Sequence, residues 1–156
     1  TVNNGDVIDI GDTSFRIHRT GPAHTDNDIM IEVVDQKALF TGDVVRNGAL
    51  GIMESDASFK GNIVAIDWMA RKKFKHYIPG HGRAGGVEIV RTYRAYLDKL
   101  LTTVKKLYAE NLNLSDYEMK PAVLQAVSAY KNWDGFDLML GPHVSRAYLE
   151  VEAEAF

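Results

Sequence analysis

Three residues in this sequence have the type and setting to hold a reacting group: His24 in GPAHTDND, Asp43 in LFTGDVV and His81 in YIPGHG. Each closes or follows an apolar run beside glycine or proline, the composition of a strand that ends in a tight turn. Binding groups collect at such places, because the sheet fixes the strand ends while the loops stay outside its hydrogen-bond ladder. Two imidazoles and a carboxylate are nitrogen and oxygen donors that suit zinc and also accept iron or manganese. Taken singly, His24 and Asp43 have a plainer use, since a loop histidine bonds backbone and an aspartate after a strand caps its turn. His81 resists that account: glycine on both sides removes the neighbouring side chains and implies close approach of something to the backbone.

The elements that must position these residues read as a layered α/β domain. Residues 7–10 and 15–20 form a hairpin around GDTS, and 28–34 and 37–43 form another around Asp35 and Gln36. After a glycine-rich loop near Gly48 and Gly51, residues 58–73 carry Phe59, Ile63, Ile66, Trp68 and Met69 at helical spacing and end in basic residues. HYIPG then returns to a strand, so strand, helix and strand alternate.

From Gly86 the pattern is helical. One helix covers 87–110 and ends at Asn111, a second covers 115–130 with Ser115 and Glu118 as a capping box, and a third covers 143–155. His18, His76 and His143 fall on a strand face, a helix-to-strand junction and a helix start, with no metal role. No repeat or linker divides the chain, so residues 1–156 are read as one domain, strand-rich over 1–85 and helical over 86–156.

Composition excludes several classes. With 46% hydrophobic and 25% charged residues in 156, the chain can bury a core and is neither disordered nor collagen-like. A net charge of -3, and no basic run longer than Arg71, Lys72 and Lys73, argue against nucleic acid as a partner. The absence of cysteine removes disulfides and thiolate metal sites. No apolar run approaches the roughly 20 residues of a membrane span, so a soluble protein of cytoplasm or periplasm is expected.

GPAHTDND, FTGD and PGHG, each closing a strand and in this order, resemble the third, fourth and fifth metal-binding motifs of the metallo-β-lactamase fold superfamily. The resemblance covers about residues 7–85; the tail HVSRAYLEVE is similar to the helical extension of members known only as metal-dependent hydrolases. It implies an αββα sandwich with two metal ions, zinc in the first instance, at one edge of the paired sheets. His24 would then bind the first ion, His81 the second, and Asp43 would bridge them. An aspartate at the bridging place resembles the hydroxyacylglutathione hydrolases more than the β-lactamases proper. Two ions sharing a carboxylate would share a water and present hydroxide to a small-molecule ester, thioester, lactam or phosphodiester. Asp26 and Asp28 are candidates to support a ligating imidazole. Arg46 and Arg83 are candidates to receive a substrate anion, with surface ion pairing as the alternative.

The superfamily's first motif, HxHxDH, is absent: no two histidines here are separated by one residue. The expectation is therefore the C-terminal half of the fold, inactive and weak in metal binding by itself, with an uncovered sheet face. Such a face should pair with the missing half or with a copy of itself. The different-class alternative is a non-catalytic binding or assembly module that keeps the strand-end residues as relics.

Overall fold

Alternating apolar residues in the first half of the chain build a single sheet. The computed structural model describes residues 1–116 and 119–155. Strands β1 (Val7–Ile10), β2 (Thr13–His18), β3 (Met30–Val33) and β4 (Ala38–Arg46) pair antiparallel in sequence order, and β5 (His76–His81) adds to β4 in parallel. Both expected hairpins form. The first turns on Gly11, whose φ of 60° lies in the left-handed region that a tight two-residue hairpin demands. In the second, β4 runs three residues past Asp43 to Arg46.

A parallel neighbour requires a crossover, and α1 (Phe59–Lys72) supplies it. Ser58 is its N-cap, accepting the Gly61 N–H at 2.9 Å, and Arg71 and Lys72 occupy the last turn, where cations favour the helix dipole. Then come α2 (Val87–Ala109), α3 (Met119–Ala126), a short 3-10 turn (Ser128–Tyr130) and α4 (Phe136–Glu154).

Two helical expectations need correction. The helix expected from Ser115 begins at Met119; Ser115 and Asp116 instead close a turn on Asn113, and Glu118, the expected capping partner, lies outside the described residues. The helix expected from His143 starts seven residues earlier, after Gly135 in a left-handed conformation, and it passes through Pro142. Proline ended the sequence pattern prematurely, because a helix held on an apolar face tolerates the loss of one hydrogen bond.

The helices pack on one face of the sheet. Met30, Leu39 and Tyr77 are buried beneath them, and the Tyr77 hydroxyl donates to the Met69 carbonyl of α1 at 2.9 Å. Helix α2 is buried along Tyr93, Tyr96, Leu97, Leu100 and Val104, and packs against both the sheet and α4. Among the described residues, no helix covers the opposite face. Strand register puts Ile8, Phe15, Val33 and Ala38 in one row, and Ile17, Ile31, Phe40 and Ile78 in the next. Exposure on this face is uneven: Phe40 is 46% exposed and Ile10 66%, whereas Ile17, Val33 and Ala38 are buried at 4%, 6% and 6%. The chain thus forms half of a sandwich, one sheet clothed on one side by helices.

Candidate metal centre

The three strand-end residues meet at one edge of this sheet. His24 lies in the loop between β2 and β3, which is docked on the start of α1. Ala23 is fully buried, its N–H bonds the Thr25 carbonyl at 2.8 Å, and its carbonyl accepts the Ser58 N–H at 2.8 Å. The helix approaches so closely that a Cβ on Gly61 would lie 1.8 Å from the Pro22 carbonyl oxygen. His24 is therefore held between sheet and helix.

Asp43 sits where β4 breaks its register with β5, just after Gly42 at φ 53°. The glycines of PGHG now have distinct uses. A Cβ on Gly80 would come within 2.0 Å of Asp43 Oδ1, so Gly80 makes room for that carboxylate. Gly82, at φ 91°, turns the chain after His81, and a Cβ there would meet the Asn47 carbonyl oxygen at 2.0 Å. The close approach implied by the two glycines is approach of β4 at Asp43 and of Asn47 just beyond its end.

The result is a carboxylate between two imidazoles. His24 Nε2 stands 3.6 Å from Asp43 Oδ2, and His81 Nε2 stands 3.5 Å from Asp43 Oδ1. For comparison, two ligands of a tetrahedral ion with bonds of about 2.0–2.1 Å are roughly 3.3 Å apart. Each imidazole and its carboxylate oxygen therefore match one edge of an ion's coordination shell. Among the described residues, no three histidine, aspartate or glutamate side chains converge on a single ion position. The donor set fits the start of two sites that share a carboxylate.

The two edges are not equivalent. His81 is 62% exposed and borders an open cleft of about 580 Å³, also lined by Arg83, Asp134 and the glycines of the 48–51 loop. On the His24 side, Arg46 Nη2 donates to Asp43 Oδ2 at 2.9 Å. Arg46 is a correction to the sequence reading: its side chain is 3% exposed, so it is neither a surface ion pair nor open to a substrate. It ends β4 facing inward, and a Cβ on Gly51 would fall 2.3 Å from its guanidinium. The Tyr93 hydroxyl is buried nearby; burial pushes it up to about 12, with the Arg46 charge opposing.

Asp26 and Asp28 do not support the His24 ring. Asp28 accepts the Thr25 N–H at 2.9 Å and the Thr25 hydroxyl at 3.1 Å, an aspartate turn, and Asp26 is exposed and accepts from Asn27. His24 Nδ1 is buried with no hydrogen-bond partner among the described residues. Arg83 is exposed at the cleft, and its carbonyl accepts from the Asn47 side chain.

Sequence reading missed His143. It lies mid-helix in α4, fully buried, with Nδ1 2.9 Å from the Tyr96 hydroxyl and Nε2 2.8 Å from the Gly51 carbonyl oxygen. A carbonyl only accepts, so Nε2 carries the proton and Nδ1 accepts from Tyr96. Burial, with Arg46 and His24 as further positive neighbours, lowers the His143 pKa to about 4 against the Gly51 hydrogen bond. The available signal was its place on the apolar face Leu140, Val144, Ala147 and Val151. Through Gly51, α2 and α4 brace the loop on which Arg46 rests.

A metallo-β-lactamase from Pontibacter korlensis superposes on this chain with a TM-score of 0.57 at 24% identity, over 63% of this chain and 47% of that one. The shared fold is that of a metallo-β-lactamase. VMB-1, in a structure at pH 5.5, matches with a TM-score of 0.49 at 24% identity, over 61% of this chain and 44% of that one. The match spans less than half the length of either structure. No family model and no curated protein sequence matches it. Among the described residues, no helix is long and apolar enough to cross a membrane.

Proposed function

We propose that this chain is the C-terminal half of a metal-dependent hydrolase of the metallo-β-lactamase superfamily, of the bridging-aspartate type seen in hydroxyacylglutathione hydrolases. The observation that carries the reading is the Asp43 carboxylate, which presents one oxygen to His24 and the other to His81. Nitrogen and oxygen donors alone favour zinc, with iron or manganese as substitutes. A bound metal supplies Lewis acidity and lowers the pKa of a nearby water, so no serine or cysteine nucleophile is needed. The chain's own residues do the rest. Asp43 fixes the spacing of the two imidazoles, Gly80 fixes Asp43, and Arg83 at the cleft offers a donor fork for an anionic group of a small ester, thioester, lactam or phosphodiester.

Each imidazole and carboxylate edge needs further ligands, and in this reading they come from the other half of the sandwich. The open groove lined by Phe15, Phe40 and Ile78, from two adjacent rows of the sheet face away from the helices, is consistent with the same arrangement, since a second sheet would bury it. Residues 1–85 carry the metal motifs and 86–156 the helices that brace them.

The test is His81→Ala in the complete gene product. Hydrolysis should be lost, with circular dichroism unchanged; retained hydrolysis removes His81 from the site. The 156-residue chain alone should be inactive and should self-associate through its open face, and a monomer by light scattering refutes that part.

A further inference from the structure

If the metal-centre reading holds, its two sides ought to fill alike, yet the His24 side already contains a cation. Arg46 Nη2 hydrogen-bonds Asp43 Oδ2, the same oxygen that faces His24 Nε2, at 2.9 Å. Asp43 Oδ1, facing His81, has no such neighbour among its ion pairs. We propose that Arg46 is a resident cation that replaces one of the two metal ions, so that the centre takes a single ion, on the His81 side.

The guanidinium is built in. A surface arginine that swings onto a vacant carboxylate would be exposed and loosely packed, and would keep its donors in water. Arg46 is 3% exposed, its Nε is buried with no hydrogen-bond partner among the described residues, and Nη1 is 3.5 Å from the Ile52 carbonyl oxygen. Residue 51 must be glycine for it to fit, since a Cβ there would lie 2.3 Å from both Cζ and Nη1 and 2.6 Å from Nη2. Gly51 is in turn held by His143 through its carbonyl.

Charge sets a guanidinium and a metal ion against each other there. Both need the same carboxylate oxygen, and like charges a few ångströms apart in a partly buried site repel strongly. The open His81 edge suffers neither competition nor enclosure. An arginine is always charged, so the second cation of this centre is permanent, whatever the metal supply.

This inference rests on the proposed metal centre, and metal counting separates the failure of one from the failure of the other. The complete gene product is titrated with zinc and with cobalt, and ions per chain are counted by native mass spectrometry and cobalt absorption. The expected count is one for wild type and two for Arg46→Met, the second ion binding at least about tenfold more tightly than any second ion in wild type. Gly51→Ala provides an independent variant that keeps the arginine but expels its guanidinium, and it too should gain an ion. Circular dichroism checks that each variant is folded, and the wild-type count stands even where a variant does not fold. Two ions in wild type, or one ion in every folded variant, overturns the inference and leaves the metal centre in place. No ion in any form overturns both.

Discussion

His143 gives the chain a pH dependence whose size follows from its surroundings. Burial holds its folded pKa at about 4, against 6.5 for an ordinary histidine. Between these values an unfolded chain binds a proton that the folded chain refuses, so stability is fully present above about pH 6.5 and falls as pH drops toward 4. The gap of about 2.5 pH units, at about 1.4 kcal/mol each, amounts to about 3 kcal/mol. Other groups also titrate in this window, and a neutral replacement separates them. Urea unfolding of wild type and His143→Gln at several pH values between 7.5 and 4 gives the difference directly. At pH 7.5 the variant should be the weaker by about 1–3 kcal/mol, having lost a buried partner for Tyr96 or Gly51. That disadvantage should shrink by about 3 kcal/mol by pH 4, because wild type alone suffers the proton penalty. A difference that stays constant across the range refutes the claim that His143 is buried neutral.

Three further outcomes are expected. Asp43→Asn should destabilise the chain by about 3 kcal/mol in urea at pH 7.5, because it leaves the buried Arg46 charge unpaired, and adding Arg46→Met should restore most of the loss. Glu150→Gln should lower stability by about 1–2 kcal/mol in thermal unfolding, since the Glu150 carboxylate accepts the N–H groups of Phe59 and Lys60 at 2.7 and 3.0 Å and so caps α1. Phe40→Lys, on the open sheet face, should change stability by less than about 0.5 kcal/mol yet abolish self-association of the 156-residue chain in light scattering.

What could be read from the sequence was local in origin. Alternation in FRIHRT and KALFTGD is the imprint of a pleated strand with unlike faces, and the spacing of Phe59, Ile66 and Met69 is that of a helix with one buried stripe. The half-sandwich was expected from these patterns together with motifs that resemble those of the metallo-β-lactamase fold and the absence of HxHxDH, and on the side away from the helices the structure places the apolar residues Ile8, Phe15, Phe40 and Ile78. The convergence of His24, Asp43 and His81 was also legible, since each sits where a strand ends and glycine leaves space.

Arg46, Gly51 and His143 were not legible, and the reason is physical. Nothing in FTGDVVRNG distinguishes an arginine that points to water from one that points inward. The choice depends on three segments far apart in sequence: a glycine five residues on that yields space, a tyrosine on α2, and a histidine on α4 that bonds the glycine's carbonyl. A charge is buried only when its partner and its cradle are both present, so its burial belongs to the assembled fold rather than to any local stretch. The same dependence explains why the helical extension, whose sequence carries no metal motif, bears on the centre. It fixes the loop that fixes the guanidinium that holds Asp43, so α2 and α4 act on the Asp43 carboxylate from a distance.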